Sequence, residues 1–183
     1  MKKKIIGLLL AVLVVAAGYV IYMEIHFSTT TSVPVKLSSE QILNEMPDIA
    51  FTEQDTTMFK ELLAAQELAE AFLLASENEN GIYVLPLDVA NELLMEWIPE
   101  GCEVLELAVI NERVYVSFLN REKQSVFYSF NSDFDYQEKT IGIYGKDLFG
   151  KRIVKAIYSN INGEITKFKE KRLWFEWMKD ANT

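Results

Sequence analysis

Three observations predict an α+β fold behind a membrane anchor. An uncharged run fills residues 5–23, apolar residues recur at helical spacing between residues 38 and 98, and from Val104 onward they alternate two by two. Helices grouped ahead of strands that short turns can join give about three helices packed on one face of an antiparallel meander.

The anchor comes first. Residues 5–23 read IIGLLLAVLVVAAGYVIYM, and as a helix these 19 residues reach roughly 28 Å, about one hydrocarbon core. Ile5, Leu8, Leu10, Val14, Val20 and Met23 are then membrane-spanning positions. Lys2, Lys3 and Lys4 precede the run while Glu24 and His26 follow it, so the positive charge predicts a cytoplasmic N-terminus and everything after Phe27 outside the plasma membrane. The competing reading is a signal peptide cut after Ala17, following Val15 and Ala16. Residues 18–25 stay apolar apart from Glu24, however, and cleavage would leave a greasy new N-terminus with nothing to bury it. No cysteine lies in the first hundred residues, which excludes a lipoprotein anchor. Residues 1–27 are therefore read as a signal anchor and residues 28–36 (STTTSVPVK) as a polar tether without structure of its own. Residues 37–183 form one extracytoplasmic domain large enough to bury a real core.

Within that domain Ser38, with Gln41 three residues on, signals a capping box, and the short helix it starts should stop at Met46 because Pro47 excludes the α region for its predecessor. Thr52 caps a second helix, with Glu53 and Asp55 in the first turn where the dipole favours anions. Met58, Phe59, Leu62, Leu63, Ala69, Phe72 and Leu73 form its inward stripe, broken only at Gln66, and the helix should end near Ser76 before Asn78, Asn80 and Gly81. Residues 82–85 suggest a short strand. Asp88 then caps a third helix turning Val89, Leu93, Leu94 and Trp97 inward until Pro99 and Gly101 stop it.

The period now changes. Residues 104–110 and 113–119 are dense in β-branched and aromatic side chains and are joined at Asn111 and Glu112 as a hairpin. Val126, Tyr128 and Phe130 mark the next strand, residues 140–144 a weaker one, and residues 153–160 and 164–168 flank Asn162-Gly163, the strongest type I′ signal in the chain. Residues 171–179 are read as a short closing helix.

Charge divides the domain. Residues 33–120 hold 17 acidic and 3 basic side chains, while residues 121–183 hold 9 and 12. The halves should attract, an acidic helical layer covering a more basic sheet. Nucleic acid is excluded as a partner, since phosphate binding needs a net basic surface.

Chemistry-bearing residues mostly exclude. The single histidine, His26, lies at the membrane exit, so a Ser-His-Asp or Cys-His machine inside the domain lacks its base. Cys102 is alone, which forbids an internal disulfide and a thiolate metal cluster. GKDLFGK at residues 145–151 imitates a phosphate-cradling loop, but Arg152 stands where a hydroxyl must hold magnesium and a strand rather than a helix should follow, so no nucleotide is expected. Asn131, Asp133, Asp135 and Gln137 alternate like calcium ligands; Tyr136 and Gly142 occupy the positions that need glycine and a bidentate glutamate, which removes the EF-hand. No metal or other cofactor is expected. Lys167, Lys169, Arg172, Trp174, Phe175 and Trp177 have the composition of a contact patch for membrane or protein, or of aromatics packed on the sheet.

By compartment and exclusion, the expected function is a non-catalytic binding or assembly module of a bacterial-type cell envelope, contacting another envelope protein. The alternative is a domain that holds a lipid or wall fragment in a cavity between helices and sheet. A carboxylate-dependent hydrolase ranks third.

Overall fold

The computed structural model describes residues 2–26, 30–135, 137–146, 150 and 152–172. It divides into two compact units, residues 1–33 with 170–183, and residues 34–169.

The first unit holds α1 (Lys2–His26), a helix of 25 residues. Its side chains from Leu9 to Tyr22 are exposed, and among the described residues no helix is long and apolar enough to cross a membrane. The spanning segment expected from residues 5–23 is not supported on that criterion. The tether also departs from expectation, because Thr30–Pro34 forms strand β1; threonines and a valine favour extended backbone whenever a neighbouring strand is present.

The second unit carries the helices. α2 (Ser39–Glu45) starts at Ser38 with the full capping box to Gln41 and stops at Met46, before a 3-10 turn at Pro47–Ile49. α3 (Glu53–Ala64) starts at Thr52, whose hydroxyl and Asp55 cap each other reciprocally. The single long helix expected from residue 53 to 76 is in fact two, because Ala65 is extended and α4 (Gln66–Glu77) follows. An unbroken helix would have carried Gln66 inward on the stripe of Met58, Phe59 and Leu62. The break rephases the chain, so Gln66 faces solvent, Leu73 is exposed, and Leu68, Ala71 and Ala75 are buried instead. α5 (Leu87–Leu94) is capped without a side chain at Pro86, not by Asp88, and ends before Trp97.

The strands are β2 (Ile82–Val84), β3 (Glu103–Ile110), β4 (Arg113–Leu119), β5 (Ser125–Phe130), β6 (Glu138–Lys146), β7 (Arg152–Ile161) and β8 (Glu164–Arg172). The sheet has eight antiparallel strands in the order β1-β8-β7-β6-β5-β4-β3-β2, a meander in which each of β2 to β8 pairs with its neighbour in sequence. β8 continues through Lys171 and Arg172, where a closing helix was expected; the rest of that segment lies outside the described residues.

Register sorts the two faces. Val116, Tyr128, Lys139 and Asn160 stand side by side on four successive strands, and Phe118, Val126, Ile141, Tyr158 and Lys167 on five. These rows face the helices, and with Phe59, Leu62, Leu68, Leu94, Leu107 and Val109 they make the core. Phe59 is fully buried, stacked on Phe130 at 4.3 Å and edge-on to Tyr128 at 5.6 Å between ring centroids.

Both expected hairpins are present, the one at Asn162-Gly163 as the type I′ turn expected there, and Asn111-Glu112 also has two positive φ angles. Asn162 and Gly163 have φ of 51° and 88°, Asn111 and Glu112 of 47° and 65°. Left-handed backbone costs a glutamate about 1–2 kcal/mol that glycine avoids, against ~0.5–1 kcal/mol of added chain entropy. Glu112→Gly is therefore expected to raise the melting temperature by about 2–4 °C, read by circular dichroism; an unchanged or lower value would refute the strain.

Candidate functional site

Between the start of α3, the turn after α5 and strands β4 to β6 lies a cleft of about 380 Å³. Its floor is apolar, made by Met58, Ile98, Phe118, Val126 and Ile141, with Trp97 half-buried on one wall. Asp48, Gln54 and Asn120 supply polar groups, and Cys102, half-buried and free, lines the same wall as Trp97 and Pro99. Its volume is at the lower end of small-molecule sites, too little for an intact two-chain lipid.

The polar end of the cleft is a closed network. Tyr128 donates its hydroxyl proton to Asp55 Oδ1 at 2.7 Å, while Lys139 Nζ donates to Asp55 Oδ2 at 3.2 Å and to the Ala50 carbonyl at 3.1 Å. Thr52 gives the same Oδ2 its amide at 2.8 Å and its hydroxyl at 2.9 Å. Asp55, Lys139 and Tyr128 are all under a tenth exposed. Burial pushes the Tyr128 hydroxyl far above the ordinary phenol range, with the charge and hydrogen bond of Asp55 adding to it. Tyr128 is thus a permanent donor at neutral pH, not a proton carrier.

A second cluster repeats this chemistry. Tyr158 and Lys167 are cross-strand partners as Tyr128 and Lys139 are, and Lys167 donates to both carboxylate oxygens of Glu45 at the end of α2. Each lysine also sits over its tyrosine ring, at 5.2 Å for Lys139 and 4.9 Å for Lys167. Asn160 adds a bond to the Ile49 carbonyl at 3.0 Å. Together these groups fasten the stretch from α2 to α3 onto the sheet. The described ion pairs, Glu45 to Lys167, Asp55 to Lys139 and Glu103 to Lys123, each join an acid of the N-terminal half to a lysine of the C-terminal half. This is the attraction that the uneven charge distribution leads one to expect.

The hydrogen bonds from Lys167, then from Tyr158, hold the Glu45 carboxyl below its ordinary value, and burial only partly opposes them. For Lys167, burial pulls the ammonium down, but hydrogen bonds with Glu45 and Tyr158 prevail and raise it. A carboxyl lowered on folding contributes stability above its unfolded value, near 4.5, and that contribution fades as pH falls through the lower folded value. Glu45→Gln should flatten the stability profile in that acid window and leave the rest of its shape unchanged, as measured by urea titrations at several pH values. An unaltered acid limb would show that the pair is energetically silent.

The expected contact patch is divided. Lys167 is 2% exposed and belongs to the cluster just described, not to the surface; it faces the helices because strand parity places it beside Tyr158. Lys169 is exposed. Arg172 lies in β8, with its side chain outside the described residues, as are Trp174, Phe175 and Trp177. Lys2, Lys3 and Lys4 fall within α1. β7 starts at Arg152 after residues 145–151, so a strand, not a helix, follows the pseudo-phosphate loop. Among the described residues no three His, Cys, Asp or Glu side chains converge as metal ligands, the loop at residues 131–137 included.

No family model matches this chain, and no curated protein or solved structure matches it. The site is therefore read from its own geometry.

Two signals could have found it. Lys139 and Lys167 interrupt the inward-facing parity of their strands, at positions where Ile141 and Ile165 mark the buried face. A lysine at an inward position requires an acid beside it, and Asp55 in the first turn of α3 and Glu45 at the end of α2 meet that need.

Proposed function

We propose that this chain is a single-pass, membrane-anchored binding module whose outer domain holds a small ligand in the cleft between helices and sheet. The observation that carries the reading is the cleft itself: an apolar floor with a half-buried tryptophan on one wall, closed at one end by acid, tyrosine and lysine groups that already satisfy one another. Saturated groups of this kind position a pocket and do not move protons, which supports binding over hydrolysis. Its small volume favours a wall fragment or another compact molecule over a lipid.

The anchor is supported by sequence, through the uncharged residues 5–23 and the lysines before them, and by the helical course of Lys2–His26. Carbonate extraction should leave the protein in the membrane fraction, and protease added to intact cells should remove the domain. Release by carbonate, or protection from protease, would overturn anchor or topology respectively.

For the ligand, native mass spectrometry of the full chain from micelles should find a bound small species in the wild type. Ile98→Trp, which fills the cleft from a half-buried position, should lose it without a change in melting temperature. Equal retention by both proteins would refute the cleft as the binding site.

A second reading, contact with an envelope protein, is favoured by the sheet edge. β2 ends the sheet, and its Ile82 and Val84 are 40% and 51% exposed. Crosslinking from position 84 should then recover one partner protein.

A further inference from the structure

The charge of the cleft restricts what it can hold. Lys139 is spent on Asp55 and the Ala50 carbonyl and lies over the Tyr128 ring. Among the described residues no other lysine or arginine lines the cleft. Asp48, on the lining, is exposed and makes no ion pair among the described residues. Trp97 lines the same cleft with a half-buried indole, for which no hydrogen bond is seen among the described residues. The helical side of the cleft belongs to the half with 17 acidic and 3 basic side chains and its β5–β6 side to the half with 9 and 12, so the surrounding domain carries 26 acidic against 15 basic side chains. An anion entering such a site meets an uncompensated carboxylate and a negative field without a free donor cation. A neutral apolar molecule gains only the floor. A cation with an apolar body gains the floor, the indole face and the neutralisation of Asp48 together.

We propose that the cleft selects small organic cations, an alkyl- or arylammonium whose apolar body fills the floor beside Trp97 and whose charged head faces Asp48. This rests on the reading of the cleft as a ligand site and adds the class of ligand. The floor formed by Met58, Val126 and Ile141 accepts the hydrocarbon, and the open side at Asp48 leaves the head partly hydrated, which keeps its desolvation cost low.

Three probes of similar shape and different charge test it: benzyltrimethylammonium, benzyl alcohol and benzoate. Their binding to the full chain in non-ionic micelles is followed by calorimetry, with Ile98→Trp as the control for partition into detergent. The ammonium should bind about ten-fold more tightly than the alcohol, with benzoate the weakest. Asp48→Asn, at an exposed position, should bring the ammonium to within about three-fold of the alcohol. Added salt should weaken the ammonium alone. Wild-type binding of all three probes with equal affinity would overturn the cation class and leave the ligand-holding function standing. Heats no different from those of Ile98→Trp for every probe would overturn both, and an ammonium preference that survives Asp48→Asn would remove Asp48 from its role.

Discussion

Asp55→Asn is expected to destabilise the domain by roughly 3–5 kcal/mol, because it leaves a buried ammonium without its counter-charge. Lys139 has 8% of its side chain exposed and Asp55 10%, so water cannot replace the lost carboxylate. The isosteric amide keeps the volume, which isolates charge from packing. Asn in this position keeps one acceptor oxygen, but its amide protons then face either the Tyr128 hydroxyl or the Lys139 ammonium, both donors in the native arrangement. The companion variant decides between charge and geometry. Lys139→Met in the Asp55→Asn background removes the stranded charge, and the pair together should recover more than half of the loss. Urea unfolding of the full chain in micelles, with the slope unchanged, measures both. A single-variant loss below about 1 kcal/mol would mean that the ammonium finds another acceptor, and the network would lose its claim to organise this end of the cleft.

The second large effect is expected at Phe59. Phe59→Ala should cost roughly 3–5 kcal/mol, from lost burial, from the cavity and from the broken ring stack with Phe130. Phe59→Leu, which refills most of the volume, should cost less than half as much. Because Tyr128 touches Phe59 through its ring and Asp55 through its hydroxyl, Phe59→Ala and Asp55→Asn should not add: the double variant should be less destabilised than the sum. Strict additivity would show that the aromatic stack and the polar network are energetically separate.

Local chemistry was legible and distant pairing was not. The Ser38 capping box, the stop before Pro47, the Thr52 cap, the hairpin at Asn111-Glu112 and the type I′ turn at Asn162-Gly163 depend on residues within four positions of each other, and all are where the sequence puts them. The break at Ala65 was visible only as a polar residue, Gln66, on an apolar stripe; whether a helix buries such a residue or rephases around it is decided by the sheet beneath, which no local window contains. β6 was expected only over residues 140–144, yet it runs from Glu138 to Lys146, with Lys139 buried against a partner 84 positions earlier. Asp55 was read as a dipole-favoured residue in a first turn. It is that, and also the acceptor on which Tyr128 and Lys139 converge, a role written in two other strands.

The separation of those partners along the chain has a consequence for synthesis. Asp55 leaves the ribosome 84 residues before Lys139, and Glu45 leaves 122 residues before Lys167. At about 5–20 residues per second that is a delay of roughly 4–25 s. During it the nascent helices hold both their carboxylates and their greasy sides without the surface that will receive them. The meander must therefore arrive as a template, and a ribosome stalled near residue 120 would present a sticky, strongly anionic chain that chaperones or proteases meet first.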